Sequence, residues 1–405
     1  MALCREGKEL PVCPLGDFKL PASFTKHPGG QSHLKVARES DCPGELFLSY
    51  HLASDMDKVA AAANALGVAM PQRGPVFDEI YAMVSRLKME HPMHQRIFTV
   101  WCITLSIALQ ATAVWWILSP TLLSSIVTSQ VFEMYFFNIF HTRHHKGGRL
   151  YNIDVLDGLF GCVYDFVDNV WGHTPLAWYW NHQVLHHCHT NEVGLDTDMS
   201  GLYPVFRTKS EQQRSWFHKL QTFYWPFFLP FVIIALPPYN LFMNGGKPIA
   251  FAAWFLIMVV WPLSMHGVYA LALSFFIQAI TGISMSYKFA VSHTHYNLGA
   301  EEEGSNHKTI DKWLKAQVEE AQSWGGYLSC LLFGGINMQI EHHLAPALTP
   351  LLYALMRPEL QKICQERGIR YTYEPSMMHA TWRFHHQLWN MGQEEPLRNP
   401  AKAVL

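Results

Sequence analysis

Charged residues are scarce in this sequence, and neither sign of charge predominates. Asp, Glu, Lys and Arg make up 15% of the 405 residues, whereas an average soluble domain contains about 25%. The formal net charge is −2, so the chain lacks the excess of Lys and Arg with which nucleic-acid-binding proteins neutralise phosphates. We therefore expect no nucleic-acid partner.

The cysteines offer neither a disulfide framework nor a thiolate metal site. None of the eight forms a C-x-x-C pair, the spacing typical of zinc sites and redox motifs. The amino terminus also lacks a basic start followed by an apolar run and a small-residue cleavage site, so we expect no secretory signal peptide. The cysteines are therefore expected to be free thiols that face the cytosol.

Apolar residues are concentrated in long runs that suit membrane-spanning helices. Residues 97–118 contain no charged residue, and these 22 residues are long enough to cross a hydrocarbon core of about 30 Å. A second run, 121–140, follows after a short turn and completes a hairpin. It contains Glu133, and an acid within a span needs a functional partner or a structural hydrogen bond. Both alternatives stay open for Glu133.

A second hairpin is predicted from residues 223–237 and 249–287, which flank the turn at residues 244–246. The 39 residues of the later run exceed one crossing, and Pro262 and Gly267 would allow two. We read them as one span that continues beyond the membrane, because this places every histidine cluster on one side. The connection that follows the first hairpin is rich in Lys and Arg, which predicts a cytosolic location.

Histidines cluster where the predicted spans meet the cytosol. His141 and His145 have the i, i+4 spacing that lets two imidazoles share a metal, and His182 and His186 repeat it. Six to nine clustered histidines exceed what one tetrahedral zinc can use, so we expect two metals. The candidate metal ligands are His141, His144, His145, His182, His186, His187, His293, His342 and His343.

The clusters resemble the three histidine boxes of membrane fatty-acyl desaturases: H-x-x-x-H, H-x-x-x-H-H and Q-x-x-H-H. The resemblance covers roughly residues 71–375, and Gln339 in the third box resembles the front-end subgroup, which desaturates between an existing double bond and the carboxyl end. Two departures are Gln183, which stands where the second box usually begins, so that His182 serves instead, and Thr142, which replaces the commoner Asp.

This resemblance implies a di-iron enzyme that uses dioxygen and two electrons to insert a cis double bond into an acyl chain. It implies an acyl-CoA or acyl-phospholipid substrate, electrons from cytochrome b5 and its reductase, and the endoplasmic reticulum membrane with both termini cytosolic. Asp196 and Asp198 would orient ligand imidazoles, and Gln339 would act in catalysis. The alternatives are a di-iron hydroxylase, a zinc-dependent membrane lipid hydrolase and a non-catalytic lipid-binding protein.

The first 71 residues resemble part of a cytochrome b5 domain. His27-Pro28-Gly29-Gly30 and Ser49-Tyr50-His51 are similar to its haem-binding signature, with His27 and His51 as the axial ligands of haem b. Only 26 residues precede the first motif, too few for the opening strands of that family. If no haem binds, electrons must come from a separate cytochrome b5.

The predicted fold is therefore an all-α integral membrane protein with two transmembrane hairpins, four spans in all, and a cytosolic helical cap that holds the di-iron site. The segments are a partial cytochrome b5-like domain (1–71), a linker or interfacial helix (72–96), the first hairpin (97–140), a cytosolic segment with two histidine boxes (141–222), the second hairpin (223–287) and the cap with the third box (288–405).

Overall fold

The structure is a computed structural model of the full chain. It describes residues 4–5, 8–9, 12–20, 27, 34, 37–151, 153–171, 178–196, 198, 202–243, 247–294 and 309–393. Helices dominate these residues, and the strands are short two-residue pairs. The prediction of a mostly helical protein is confirmed.

The described part of the amino-terminal segment contains short strands and helices. Strands β1 (Cys4–Arg5) and β2 (Lys8–Glu9) pair with each other, and β3 (Val12–Cys13) pairs with β4 (Met70–Pro71) in parallel. Its helices include α1 (Pro43–His51) and α2 (Met56–Ala65). Asp55 caps α2 by accepting a hydrogen bond from the Lys58 amide, as an N-cap carboxylate does.

An amphipathic helix and a helical hairpin follow. They are α3 (Pro75–Glu90), α4 (Met93–Leu118) and α5 (Leu122–Tyr135), and α5 continues through a π-helical turn (Phe136–His141) into α6 (Thr142–His145). A capping box between Thr121 and Ser124 begins α5. Helices α4 and α5 form the first hairpin, where Trp116 Nε1 donates to Ser125 Oγ at 3.1 Å.

The middle of the chain carries α7 (Asp154–Val170), a π-helix (Tyr179–His186), α8 (Gln221–Met243), and α9 (Pro248–Phe255), which continues through a π-turn (Leu256–Val260) into α10 (Trp261–His293). Among the described residues, three segments are long and apolar enough to cross a membrane: Met93–Leu118, Trp216–Tyr239 and Pro248–His293. A crossing by α5 stays a prediction.

The apolar segment from Pro248 to His293 folds back on itself at Gly267, where φ is 76°. Ser274 Oγ donates a hydrogen bond to the carbonyl of Met258, and Trp254 Nε1 donates to Gln278 Oε1 at 3.2 Å. Residues 16 apart in a continuous helix would be separated by about 24 Å, so the two limbs must run antiparallel. Residues 249–287 are therefore not one continuous helix, because Gly267 supplies a left-handed conformation that reverses the chain. How many times these residues cross the membrane stays a prediction.

The cap follows α10 along the chain and contains the third histidine box. It consists of α11 (Ile310–Glu319), β5 (Ser323–Trp324), α12 (Tyr327–Phe333), α13 (Gln339–Leu344), α14 (Tyr353–Glu366), β6 (Tyr373–Glu374) and α15 (Met377–Gln393). Helix α10 extends to His293, so the predicted boundary of the cap at residue 288 falls inside a helix.

Two cysteines are joined although the sequence predicted free thiols. Cys42, which precedes α1, forms a disulfide with Cys188, and their Cα atoms lie 6.1 Å apart, within the range that a disulfide spans. The prediction is wrong for this pair because 146 residues separate the two cysteines and only tertiary packing brings them together. The described free cysteines are Cys13, Cys102, Cys162, Cys330 and Cys364.

Candidate metal centre

The continuation of α5 delivers the first histidine pair. His141 ends the π-helical turn and His145 ends α6, with their ring centroids 4.7 Å apart. Both side chains are buried. The i, i+4 spacing therefore places the two imidazoles side by side, as the sequence predicts.

A second π-helical segment delivers the next histidines. His182 and His186 lie within the helix Tyr179–His186, and their rings stack with centroids 5.1 Å apart. His187 follows at its end and is also buried. π-Helical turns are rare and occur frequently at functional sites, and here two of them carry metal-ligand candidates.

The third box reaches the first through a close backbone approach. Gly334 has φ 57°, and a Cβ atom at this position would lie 2.2 Å from the Phe137 carbonyl oxygen. Asn138 Nδ2 donates to the Leu332 carbonyl at 3.0 Å and joins the same two segments. Only glycine fits here, so the chain can place His342 of α13 next to His141, with ring centroids 4.6 Å apart.

The histidines assemble into two adjacent groups. In the first, His141, His145, His182 and His342 each offer a nitrogen within 4.8 Å of the others, and in the second His186, His293 and His343 do the same. His187 lies between them, with ring centroids 4.7 Å from His145 and 4.3 Å from His343. A further group combines His182, His186 and Asp198.

Two predicted histidines belong to none of these groups: His187, which lies between the first two groups, and His144. His144 Nδ1 lies 2.9 Å from the Phe140 carbonyl oxygen, and the His144 ring packs against Trp178 with centroids 5.2 Å apart. Helical geometry turns His144 about 100° away from His145. Its burial is thus explained by packing and by a backbone hydrogen bond.

Side chains that do not belong to the two histidine groups form hydrogen bonds with the Nδ1 atoms of four imidazoles. The partners are Asp198 for His182 at 2.7 Å, Asp196 for His186 at 2.9 Å, Gln317 for His343 at 2.7 Å and Tyr50 for His145 at 2.9 Å. This pattern is typical of metal-binding histidines, whose second nitrogen is fixed by a neighbour. Within the described chain the Nε2 atoms of His145, His342 and His343 are buried without a hydrogen-bond partner.

Gln317 and Tyr50 are functional candidates that the sequence did not indicate. Gln317 lies on α11, 26 residues before His343, and also accepts a hydrogen bond from Thr190 at 2.8 Å. Gln317 belongs to no recognisable motif, and the motif that contains Tyr50 indicated haem binding and not a contact with the histidine boxes. Asp196 and Asp198, by contrast, lie where the sequence placed them, each beside an imidazole.

The two histidine groups and His187 together form a cage of imidazoles that is largely uncharged. Burial, together with the neighbouring His182 ring, lowers the pKa values of His187 and His342 well below the ordinary histidine value. Burial also opposes protonation of His186, but Asp196 outweighs it and leaves the pKa of His186 raised. Neutral imidazoles are the form that binds metals. A metal ion would therefore satisfy buried nitrogens that otherwise lack a partner.

Gln339 begins α13 and is fully buried. Its Oε1 and Nε2 atoms have no hydrogen-bond partner among the residues that the structure describes. Since residues three and four positions apart share a helix face, Gln339 lies on the side of His342 and His343. Glu341 in contrast is held by Ser323 Oγ at 2.7 Å and by the Tyr371 hydroxyl, and belongs to neither histidine group.

The two histidines predicted to bind haem lie together in the amino-terminal segment. The ring centroids of His27 and His51 are 5.7 Å apart, and His51 Nδ1 lies 2.7 Å from the Phe47 carbonyl oxygen. Burial and the nearby His27 lower the pKa of His51 to about 4, despite the bond to Phe47. Its imidazole is therefore neutral at physiological pH, as an axial haem ligand requires.

A cavity of about 1240 Å³ adjoins His27 and His51. Apolar side chains such as Leu34 and Phe47 line it, and Lys58, Lys88 and Arg149 also contribute to its wall. Two neutral imidazoles, apolar walls and nearby cations match the needs of a flat apolar macrocycle with acidic substituents. The described residues thus fit haem b. The remaining residues of the first motif, Pro28, Gly29 and Gly30, lie outside the described part.

Long apolar helices and a buried cage of neutral histidines define the class of this protein: a membrane protein with a histidine-rich site for metal ions. The sequence pattern of the fatty acid desaturase family matches residues 115–375. The chain therefore belongs to the fatty acid desaturase family, as the histidine boxes predicted. It is an oxidoreductase that acts on acyl lipids.

Three relatives illustrate the similarity. A probable Delta(5) fatty acid desaturase C of Dictyostelium discoideum is 26% identical over 413 residues, which cover 91% of this chain and 88% of the relative. An sn-1 linoleoyl-lipid 6-desaturase of Synechocystis is 26% identical, covering 67% and 80%. A chloroplastic acyl-lipid (7-3)-desaturase of Chlamydomonas reinhardtii is 25% identical, covering 65% and 55%. No solved structure matches this chain.

Proposed function

We propose that this protein is a front-end fatty acid desaturase that inserts a cis double bond into an already unsaturated acyl chain, in the biosynthesis of polyunsaturated fatty acids. The observation that carries the proposal is the pair of adjacent histidine groups, bridged by His187, in a membrane protein of the desaturase family. Relatives named as Delta(5) and acyl-lipid (7-3) desaturases support the front-end assignment.

Two iron ions would be held by the two groups. One iron would be bound by His141, His145, His182 and His342, and the other would be bound by His186, His293 and His343. His187 lies where it can bind either iron. Bound iron would supply the activation of dioxygen that breaks an unactivated C–H bond. The chain's own contribution is to fix the imidazoles through Asp196, Asp198 and Gln317, and to bury the cage away from bulk water.

Electrons are proposed to enter through the amino-terminal segment. A haem held by His27 and His51 would make the chain its own electron carrier, as in a fused cytochrome b5 domain. The neutral His51 imidazole and the adjoining cavity support this assignment. A chain without haem would require a separate cytochrome b5 with its reductase.

The membrane topology is proposed to comprise four crossings, by α4, α5 and the two limbs that meet at Gly267. His266 Nε2 lies 3.1 Å from the carbonyl of Ile117, near the end of α4 that is remote from the histidines. Pro248 and His293 would then lie on the same side, so α8, which contains four prolines, would enter the membrane without crossing it. The Lys and Arg asymmetry supports a cytosolic location for both termini and all three boxes, in the endoplasmic reticulum.

Expression in yeast tests the proposed function. Cells that carry the chain are fed single polyunsaturated fatty acids, and new double bonds are located by gas chromatography with mass spectrometry. We expect a new cis double bond on the carboxyl side of an existing one. A hydroxylated product would favour the di-iron hydroxylase instead, and purified protein with one zinc and no iron would favour a zinc hydrolase.

Variants of Gln339 test whether metal binding and turnover can be separated. The Gln339→Ala variant is expected to lose most activity but keep much of its iron, because an amide is a weaker iron ligand than imidazole and can act through a hydrogen bond to water. The Gln339→His variant is expected to keep iron and lose turnover. Iron per chain and product yield are measured together. Full activity in both variants would contradict a chemical role for Gln339 and weaken the front-end assignment.

A further inference from the structure

Helix α1 of the amino-terminal segment contacts the metal centre directly. Ser49 Oγ donates to the backbone carbonyls of His343 and Leu344 at 3.3 and 3.2 Å. The Tyr50 hydroxyl lies 2.9 Å from His145 Nδ1, and the two rings are tilted by 35° with centroids 6.0 Å apart. The segment therefore reaches two of the three histidine boxes through adjacent residues.

The contact between Tyr50 and His145 has the same form as the other contacts that fix the cage. Asp198, Asp196 and Gln317 each meet an imidazole at Nδ1, at 2.7 to 2.9 Å. The Nε2 atom of His145 is buried and without a hydrogen-bond partner in the described chain. His145 Nδ1–H can therefore donate to the phenol oxygen while Nε2 remains available to a metal.

We propose that Tyr50 is a positioning residue of the metal centre, which fixes the imidazole of His145 and makes the amino-terminal segment part of the site. The proposal rests on the proposed function, because it assumes that His145 binds iron. Asp196 and Gln317 come from the desaturase part of the chain, and Tyr50 supplies the equivalent hydrogen bond from outside it. The catalytic part alone would therefore lack one of the groups that orient its ligands.

The position of Tyr50 next to His51 gives this arrangement a second consequence. Successive residues of a helix point about 100° apart, so α1 directs Tyr50 to His145 and His51 to His27. All four of these side chains line the cavity. One helix thus holds a neighbour of the iron cage and a candidate haem ligand at adjacent positions. Any displacement of α1 would alter both sites at once.

The Tyr50→Phe variant tests the proposal, because it removes one hydroxyl and keeps the ring. Loss of such an outer hydrogen bond typically costs about 10- to 100-fold in metal affinity. We expect the full-length variant to bind iron at least about tenfold more weakly in competition with a chelator. We also expect a changed visible absorption spectrum of the cobalt(II)-loaded protein, while the melting temperature of the metal-free protein stays close to that of the wild type.

Tyr164→Phe is the matched control. The Tyr164 hydroxyl is buried and lies 3.1 Å from Ser106 Oγ, and it makes no contact with the histidine groups among the described residues. An equal loss of iron affinity in both tyrosine variants would indicate a general packing effect and overturn the proposal. Wild-type affinity and spectrum in Tyr50→Phe would overturn it as well.

The His342→Ala variant separates this proposal from the proposed function. If His342→Ala loses iron and Tyr50→Phe behaves as the wild type, the role of Tyr50 is refuted and the metal centre stands. If His342→Ala retains all its iron, the metal centre itself is refuted, and the role of Tyr50 with it. Weaker binding in Tyr50→Phe and loss in His342→Ala, with Tyr164→Phe unchanged, supports both.

Discussion

Replacement of His342 with alanine is expected to abolish desaturase activity and to remove iron from the protein. His342 belongs to the first histidine group, and its buried Nε2 atom has no hydrogen-bond partner in the described chain. The substitution removes one of four clustered nitrogens and leaves a gap that a short apolar side chain cannot fill. Loss of a hydrogen bond to a metal ligand typically lowers the affinity for the metal by about 10- to 100-fold. Deletion of the ligand itself is therefore expected to lower the affinity for iron by more than about 100-fold.

The measurement is iron per chain by mass spectrometry, together with product yield in yeast. His379→Ala is a suitable control, because His379 is exposed near the start of α15 and its side chain hydrogen-bonds with Ser376. This variant should match the wild type in both assays. Retention of two irons by His342→Ala would contradict the assignment of the cage.

The local pattern of the histidines predicted the ligand candidates but could not choose among them. His187 is part of the H-x-x-x-H-H box, whereas His144 falls between the two histidines of the H-x-x-x-H box, and the spacing did not decide whether His144 binds a metal. The structure turns His144 to the Phe140 carbonyl and inserts His187 between the two groups. The difference depends on helix phase and on the packing of Gly334, at the end of α12, against the π-helical turn Phe136–His141. The spacing of histidines along the sequence does not reveal which of them faces the metal groups.

Long-range contacts account for the other differences between prediction and structure. The sequence indicated an unusually long apolar run and identified Gly267 within it, but the direction of the chain after Gly267 depends on packing between the limbs. The disulfide between Cys42 and Cys188 and the contact between Tyr50 and His145 both join the amino-terminal segment to the histidine boxes. Neither could be predicted, because how the segments dock is not encoded in any local motif.

Glu133 has a buried partner, Lys288, at the position where the sequence analysis placed the start of the cap (288–405). Lys288 Nζ lies 2.7 Å from Glu133 Oε1, and Ser284 Oγ donates to Glu133 Oε2 at 2.8 Å. Both charged side chains are buried, and the ammonium also lies 4.5 Å from the centroid of the Phe333 ring. The pair joins α5 and α10, which deliver His141 to one metal group and His293 to the other.

Replacement of Lys288 with methionine is expected to destabilise the protein by about 3–5 kcal/mol, because it leaves the Glu133 carboxylate buried without its counter-charge. The measurement is the free energy of unfolding in mild detergent, followed by circular dichroism during titration with a denaturing detergent. Arg86→Met provides the contrast, because the Arg86 pair with Glu359 is exposed and should contribute at most about 1 kcal/mol.

The double variant Glu133→Gln/Lys288→Met shows whether the cost comes from the unpaired charge. It should recover most of the lost stability, because a neutral amide can still accept the hydrogen bond from Ser284 and no charge remains buried. Wild-type stability in Lys288→Met alone would refute a stabilising role of the ion pair. Iron per chain is measured in both variants as well. Recovered stability in the double variant with iron per chain still below that of the wild type would assign the pair a role in the spacing of α5 and α10, and hence in the distance between the two metal groups.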